Sequence, residues 1–361
     1  MEEQHDALNS ISSGCESAVC RILDANLDRA REGLRIVEDW CRFGLNRGDL
    51  TEQCKAMRQE LASWHTPELR AARDTPGDLG TQLSHPNEEH RSDVTHVLQA
   101  NLCRVEEALR VLEEYGKVYK AGMGETFKQM RYQVYALDSI LMGQQRKQLL
   151  ERSLLYLVTS SGEQLFANVE AALQGGLTLV QYRDKQADDV TRIENGIRLR
   201  ELCHRYGALF IMNDRADLAR AVDADGVHLG QQDIPIALAR QIVGSNRIVG
   251  RSTTNSDEMY RALSEGADYI GVGPIHSTPT KAGKAAVGYD YVRHAVAHAS
   301  VPWFAIGGID TENLDELLSA GASRVAVVRS IMEAEHPTLI TQYFLAQLNH
   351  HQMMRSQQQS S

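Results

Sequence analysis

The sequence lacks the features that would place a protein in a membrane, in an oxidising compartment or on nucleic acid. No apolar run approaches the roughly 20 residues that a membrane-spanning helix needs, and the opening MEEQHDALNS is acidic and polar rather than signal-like. The six cysteines form no CxxC pair, which favours free thiols in a reducing environment. A formal net charge of −10 argues against a nucleic-acid partner. We therefore expect a cytoplasmic protein without a membrane or nucleic-acid partner.

The chain is long enough for more than one domain, and its hydrophobic pattern changes near residue 150. Before that point apolar residues recur at helical spacing, whereas short β-branched runs alternate with helical stretches from Leu154 onward. We predict an all-α domain over residues 1–150 and an α/β domain over residues 151–361, with the charged segment 146–153 at their junction. The polar stretch 350–361 is expected to fray.

The first domain contains an internal repeat. Residues 21–39 match residues 96–114 at an offset of 75, and a second match between 55–58 and 128–131 extends the copies to 21–58 and 96–131. Each copy predicts two helices, so the domain is predicted to be a duplicated helical hairpin that packs as a four-helix unit. The predicted buried stripes are Leu23, Leu27, Ala30, Leu34 and Val37 in the first copy, and Leu98, Leu102, Val105, Leu109 and Leu112 in the second. The shared polar residues are Asn26, Arg29, Glu32, Arg35, Glu38 and Arg58, matched by Asn101, Arg104, Glu107, Arg110, Glu113 and Arg131.

Two interpretations of this duplicated polar set are open. It could be a solvated face in which charges pair at i,i+3 and i,i+4. It could also form a shared ligand site or a contact about a twofold axis, because ion pairing alone does not require the same residues in both copies. The segment 70–90 between the copies is either a plain connection or a phosphate cradle, although it has no P-loop spacing.

The second domain has the pattern of a (β/α)8 barrel. Eight short apolar runs alternate with helical stretches over about 200 residues, the compact end of this fold, in which functional groups lie at the carboxyl ends of the strands. The predicted strands are 154–160, 179–184, 209–214, 226–230, 247–252, 269–275, 303–309 and 324–330.

Two aspartates follow consecutive strands of this predicted barrel. Asp214 comes directly after strand 3, beside Asn213, and Asp233 follows strand 4. Because neighbouring strand ends meet at one rim, the two carboxylates would suit a magnesium ion that shares a phosphate oxygen with a substrate. The alternative is that each aspartate caps the helix that follows it.

The other strand ends add cations and anion-binding backbone to the same rim. Alternation along strand 2 places Gln181, Arg183 and Lys185 on one face. A long loop after strand 6 is typical of a mobile lid that grips phosphate, and glycines or a helix N-terminus after strands 7 and 8 can bind an anion through backbone N–H groups. Magnesium together with lysines would stabilise a departing pyrophosphate. The residues concerned are Ser252 at the end of strand 5, Thr278, Thr280 and Lys281 in the loop, Gly307 and Gly308 at the end of strand 7, and Val328 and Arg329 at the end of strand 8.

The motifs QYRDK, MND, GVHLGQQD, GRS, GPIHSTPTK and IGGI, in this order, resemble those of thiamine phosphate synthase over residues 152–346. That family joins 4-amino-5-hydroxymethyl-2-methylpyrimidine diphosphate to a thiazole phosphate, giving thiamine phosphate and pyrophosphate. The resemblance implies a dissociative reaction in which pyrophosphate leaves first and the thiazole nitrogen captures the pyrimidine methyl cation.

The resemblance also implies a role for each rim residue. Asp214 and Asp233 would hold one Mg²⁺ per active site, and Arg183, Lys185 and Lys281 would be the catalytic cations. The pyrimidine diphosphate would be bound by Gln181, Arg183, Lys185, Asn213, Ser252 and Lys281, and the thiazole phosphate by Thr278, Thr280, Gly307, Gly308 and the backbone at Val328 and Arg329. Arg329 departs from the family pattern, in which a small residue is common, so a contact there would be made by the backbone.

The first domain is similar to the extension found in a longer form of this enzyme, which resembles a proposed hydroxymethylpyrimidine-phosphate kinase family. The alternative is that this domain joins copies of the chain into a homo-oligomer or binds a regulatory ligand. For the barrel, an isomerase or aldolase would need a base or a lysine nucleophile at the rim, and a non-enzymatic binding scaffold would show degraded motifs. The motifs indicate neither.

Overall fold

The computed structural model describes residues 2–74, 77, 91, 94–277 and 285–359. The chain divides into two compact units, Met1–Leu141 and Met142–Ser361. The division falls within one helix, slightly before the boundary at residue 150 that the sequence predicts. No helix in the described part of the chain is long and apolar enough to cross a membrane.

The first unit is helical, as predicted. The stripe from Leu23 to Val37 and its counterpart from Leu98 to Leu112 are buried in one core, which confirms the helical spacing in both copies. The first helix of each copy packs against the other, and Gly33 allows this approach because a Cβ there would lie 2.6 Å from Val105. The elements are α1 (Glu2–Asp39), a π-helix (Trp40–Gly44), α2 (Gly48–Trp64), α3 (Pro67–Ala71), α4 (Val94–Tyr119) and α5 (Met123–Arg152).

The second unit is a closed barrel of eight parallel strands, in which β1 pairs with both β2 and β8. The (β/α)8 prediction is therefore confirmed. The strands are β1 (Leu155–Val158), β2 (Leu179–Tyr182), β3 (Leu209–Asn213), β4 (Gly226–Leu229), β5 (Ile248–Thr253), β6 (Tyr269–Val272), β7 (Trp303–Ile306) and β8 (Val325–Val327). The helices are α6 (Leu165–Gln174), α7 (Asp189–Arg205), α8 (Ala216–Ala221), α9 (Ile236–Val243), α10 (Ser256–Ser264), α11 (Gly288–His298), α12 (Leu314–Ser319), α13 (Arg329–Met332) and α14 (Pro337–Gln359). The stretch that was expected to fray is thus helical as far as Gln359.

The C-terminal end of α5 closes the barrel at the amino ends of the strands with an apolar layer. Leu150 is fully buried among side chains that point inward from the strands, including Leu179, Leu209 and Phe304. Inward and outward side chains alternate along each strand, so the interior cluster is separate from the larger core between strands and helices. The closed amino end leaves the carboxyl ends of the strands as the open rim.

Candidate active site

Lys185 and Asp214 meet at the carboxyl ends of β2 and β3. The Lys185 Nζ lies 3.6 Å from the Asp214 Oδ2. Asp214 has a φ of +62°, a left-handed conformation that is rare for residues other than glycine. Its N–H donates a 2.8 Å hydrogen bond to the carbonyl of His228 in β4. The chain therefore turns sharply after β3 and presents the Asp214 carboxylate next to the lysine.

Asp233 lies beside this pair, in the turn after β4. Its Oδ2 accepts a 2.5 Å hydrogen bond from the N–H of Gly230. Burial and the adjacent Asp214 carboxylate raise the pKa of Asp233, against the lowering effects of the Gly230 N–H and the Lys185 ammonium. Two carboxylates thus share a site with more negative charge than the single lysine offsets, and oxygen donors of this kind fit a Mg²⁺ ion completed by substrate phosphate and water.

The helix-cap interpretation of the two aspartates is wrong. The N-cap of α8 is Arg215, which makes no side-chain cap hydrogen bond, and the N-cap of α9 is Pro235. Neither carboxylate therefore serves to begin a helix.

A chain of hydrogen-bonded side chains crosses the inside of the barrel just below the rim. Gln181 Nε2 donates to the Tyr156 hydroxyl at 2.6 Å, and the hydroxyls of Tyr156 and Tyr269 are 2.7 Å apart. His228 continues the chain, with Nδ1 3.0 Å from the Tyr269 hydroxyl and Nε2 2.9 Å from the Ser252 Oγ. Burial raises the pKa of both tyrosines, so they remain neutral hydrogen-bonding groups. The chain holds Gln181 and Ser252, two predicted pyrimidine ligands, in fixed orientations.

The sequence motifs assign no individual role to Tyr156, Tyr269 or His228, although His228 lies within the GVHLGQQD motif. Strand alternation could have flagged these residues, since polar rings at inward-facing positions of a barrel require partners. Their mutual contact was not readable, because Tyr156 and Tyr269 are 113 residues apart.

A cavity of about 250 Å³ lies at the ends of β2 and β3. Asn213 lines this cavity together with Lys185 and Asp214. Arg183 follows β2, where its N–H donates a 3.0 Å hydrogen bond to the Thr159 Oγ1. Thr278, Thr280 and Lys281 lie outside the described residues.

Gly307 and Gly308 follow β7 with φ values of +109° and +65°. A Cβ at Gly307 would lie 2.6 Å from Pro274, so this backbone approaches the start of the β6 loop too closely for any larger residue. The Ser330 Oγ donates a 2.6 Å hydrogen bond to the carbonyl of Ile309, which joins the loop after β7 to the segment after β8. Val328 is the N-cap of α13, and the Arg329 side chain is exposed.

In the helical unit, the duplicated charges form matching ion pairs in the two hairpins. Arg58 Nη1 donates to Glu38 at 2.5 Å, and Arg131 Nη2 donates to Glu113 at 2.8 Å. Both glutamates are buried. Asn26 and Asn101 each donate to the backbone carbonyl four residues earlier. These contacts explain part of the duplication by packing, whereas Arg29, Glu32, Arg104 and Glu107 are exposed.

Comparison with known proteins identifies relatives of both units. A thiamine monophosphate synthase family model matches residues 155–331, and a ThiD2 family model matches residues 21–139. A thiamine-phosphate synthase of Nostoc sp. (strain PCC 7120) is 68% identical over 334 residues, which cover 92% of this chain and 95% of that protein. The one from Synechocystis sp. (strain PCC 6803) is 63% identical over 92% of this chain and 97% of its own length. The solved structure of a thiamine phosphate pyrophosphorylase from Pyrococcus furiosus has 36% identity and a TM-score of 0.51, and it matches 57% of this chain and 98% of its own.

Proposed function

The chain belongs to the thiamine-phosphate synthase family, and we propose that the rim residues described above carry its reaction. The barrel is a transferase that joins the pyrimidine diphosphate to the thiazole phosphate and releases pyrophosphate. The observation that carries the site assignment is the convergence of Asp214, Asp233 and Lys185, which brings two carboxylates and an ammonium group to one point of the rim.

Each group has a defined part in this proposal. Bound Mg²⁺ would draw negative charge from the departing pyrophosphate, and Asp214 and Asp233 are the residues that would hold it. Lys185 and Arg183 offset further charge on the same leaving group, which favours cleavage of the C–O bond before the new C–N bond forms. Gln181 and Ser252, held by the buried tyrosines and His228, hold the pyrimidine while its methyl cation is exposed to the thiazole nitrogen. The phosphate of the thiazole is expected at Gly307, Gly308 and the N–H groups of Val328 and Arg329, with Thr278, Thr280 and Lys281 from the loop.

The barrel reaction is tested with full-length protein, the pyrimidine diphosphate, thiazole phosphate and Mg²⁺. We expect thiamine phosphate and pyrophosphate to form in equal amounts and chelation by EDTA to stop both. Product formation without pyrophosphate would contradict the mechanism. Lys185 is paired with Asp214 rather than placed in an apolar pocket, so it does not favour the Schiff-base chemistry of an aldolase.

For the helical unit we propose pyrimidine-phosphate kinase activity, which would supply the diphosphate that the barrel consumes. The support is its ThiD2 match together with the duplicated charged helices. The test uses full-length Asp214→Asn, in which the barrel is expected to consume the pyrimidine diphosphate much more slowly. Incubation with the monophosphate, ATP and magnesium should then yield the diphosphate. If no diphosphate forms, the oligomerisation or regulatory alternative is favoured. The molar mass in solution would test oligomerisation, and binding of thiamine phosphate would test regulation.

A further inference from the structure

We propose that Asp189 is a positioning residue that sets the distance between Lys185 and Asp214. It does not reach the substrate itself. The inference rests on the proposed function, because it assigns to Asp189 the alignment of the groups that would bind the metal and the pyrophosphate.

Asp189 begins α7, and its carboxylate binds the residue that follows Asp214. Arg215 Nη1 donates to Asp189 Oδ1 at 2.9 Å, and Arg215 Nη2 donates to Asp189 Oδ2 at 3.1 Å. This two-point contact restrains the orientation of the arginine as well as its distance. Since Arg215 is joined to Asp214 by one peptide bond, the contact restrains the left-handed turn at Asp214.

The same carboxylate is connected to the strand end that carries Lys185. Arg192 Nη1 lies 3.3 Å from Asp189 Oδ1, and Arg192 Nε donates a 3.0 Å hydrogen bond to the carbonyl of Asp184. Asp184 immediately precedes Lys185. One acidic residue therefore links the loop after β2 to the loop after β3 through two arginines.

This link lies where the sheet no longer aligns the two loops. The last paired residues of β2 and β3 are Tyr182 and Met212, so Lys185 and Asp214 both lie beyond the ladder. Groups that bind a reacting phosphate must be held to within a fraction of an ångström. The arginine bridges extend the alignment of the two strands past the point at which their backbone hydrogen bonds end.

Asp217 provides a matched control within the same network. It also binds Arg215, with Nε donating to Oδ1 at 2.9 Å and Nη2 donating to Oδ2 at 2.6 Å. Its side chain is 57% exposed, close to the 51% of Asp189. Asp217 lies in the first turn of α8, however, only two residues after Arg215, so removing its charge breaks a similar ion pair without releasing the link between the loops after β2 and β3.

The experiment compares full-length wild type, Asp189→Asn and Asp217→Asn. Mn²⁺ binding in the presence of inorganic pyrophosphate is followed by electron paramagnetic resonance, and KM is measured for each substrate. Asp189→Asn should weaken Mn²⁺ binding and raise the KM for the pyrimidine diphosphate about fivefold, with the KM for thiazole phosphate unchanged. Asp217→Asn should stay within about twofold of wild type, since exposed pairs contribute little by themselves.

Equal Mn²⁺ affinity in Asp189→Asn and Asp217→Asn would overturn the positioning role. If wild type forms no thiamine phosphate while Asp189→Asn alone loses Mn²⁺ affinity, the proposed reaction fails and the positioning role holds. Should Asp189→Asn not fold, Arg215→Lys keeps the charge and loses the two-point contact, and it should reproduce the same loss of Mn²⁺ affinity.

Discussion

The Arg146 guanidinium donates a 2.8 Å hydrogen bond from Nε to the buried carboxylate of Asp225, which lies just before β4. Asp225 also accepts hydrogen bonds from His204 Nε2 and from the N–H of Phe210, each at 2.9 Å. Next to it, Lys147 Nζ lies 3.1 Å from Asp268, the residue before β6. The C-terminal end of α5 is therefore joined to the barrel by these polar contacts as well as by the apolar packing of Leu150.

A barrel fragment should accordingly begin before Arg146. We expect residues 142–361 to be more stable than residues 149–361 by about 3 kcal/mol, because the shorter fragment leaves the buried Asp225 carboxylate without the Arg146 guanidinium. Urea denaturation of the two fragments measures the difference. Full-length Arg146→Ala is the companion variant. Equal stability of the two fragments would show that residues 142–148 of α5 do not stabilise the barrel.

The stability of the barrel should depend on pH through Asp225. Burial acts to raise the pKa of this carboxyl, but the hydrogen bond with His204 and the charge of Arg146 outweigh it and hold the pKa below its ordinary value. A lowered pKa in the folded state contributes stability above the unfolded pKa of about 3.9, and this contribution is lost as the pH falls through the folded value.

Asp225→Asn should therefore be less stable than wild type by about 3 kcal/mol at pH 7, and this difference in the free energy of unfolding should narrow as the pH falls below about 4. Urea denaturation at several pH values measures it. Asp290→Asn removes a carboxylate whose side chain is 96% exposed and should follow the wild-type curve throughout. A gap for Asp225→Asn that stays constant with pH would contradict the proposed linkage.

Asp214→Asn should lower kcat/KM by at least about 100-fold, because it removes one of two proposed metal ligands at the leaving group. Asparagine tolerates the left-handed conformation at this position, so the melting temperature should stay close to that of wild type. A second variant at this position, Asp214→Ala, should also abolish turnover. Near-normal activity in either folded variant would refute the metal assignment.

Tyr269→Phe tests the hydrogen-bonded chain inside the barrel. Loss of the hydroxyl should cost about 1–3 kcal/mol of stability and raise the KM for the pyrimidine diphosphate about tenfold, because Tyr156 and His228 lose their shared partner. Tyr291→Phe is the control, since Tyr291 is also buried and donates a 2.7 Å hydrogen bond to Thr253 on the helix side of the barrel. A similar loss of stability with no change in KM is expected there. If both variants shift KM alike, the chain has no specific part in binding.

In the helical unit, Arg131→Ala should destabilise the fold by about 3 kcal/mol, because it leaves Glu113 buried with only the exposed Arg110 as a partner. Arg104→Ala, at an exposed position of the same duplicated set, should change stability by less than about 0.5 kcal/mol. Chemical denaturation followed by circular dichroism separates the two. Equal losses of stability in the two variants would mean that burial does not decide how much each duplicated charge contributes to stability.

Local periodicity was sufficient for most of the architecture. A helix repeats its buried face every 3.6 residues and a strand alternates its faces every two, so the buried stripes of α1 and α4 and the eight strands were readable from the chain. The placement of Asp214 and Asp233 at one rim followed as well, because in a parallel barrel the ends of consecutive strands are neighbours. Motif resemblance then indicated which chemistry such a rim performs.

Tertiary structure alone decided which distant side chains meet. The Tyr156–Tyr269 contact exists because barrel closure brings β1 and β6 side chains to one interior. The Arg146–Asp225 contact exists because, within the second unit, the C-terminal end of α5 packs at the amino ends of the strands. It also decided that neither aspartate caps a helix and that Asp189 links two loops. These outcomes depend on distances between segments that lie far apart along the chain, and no local pattern of residues specifies such distances.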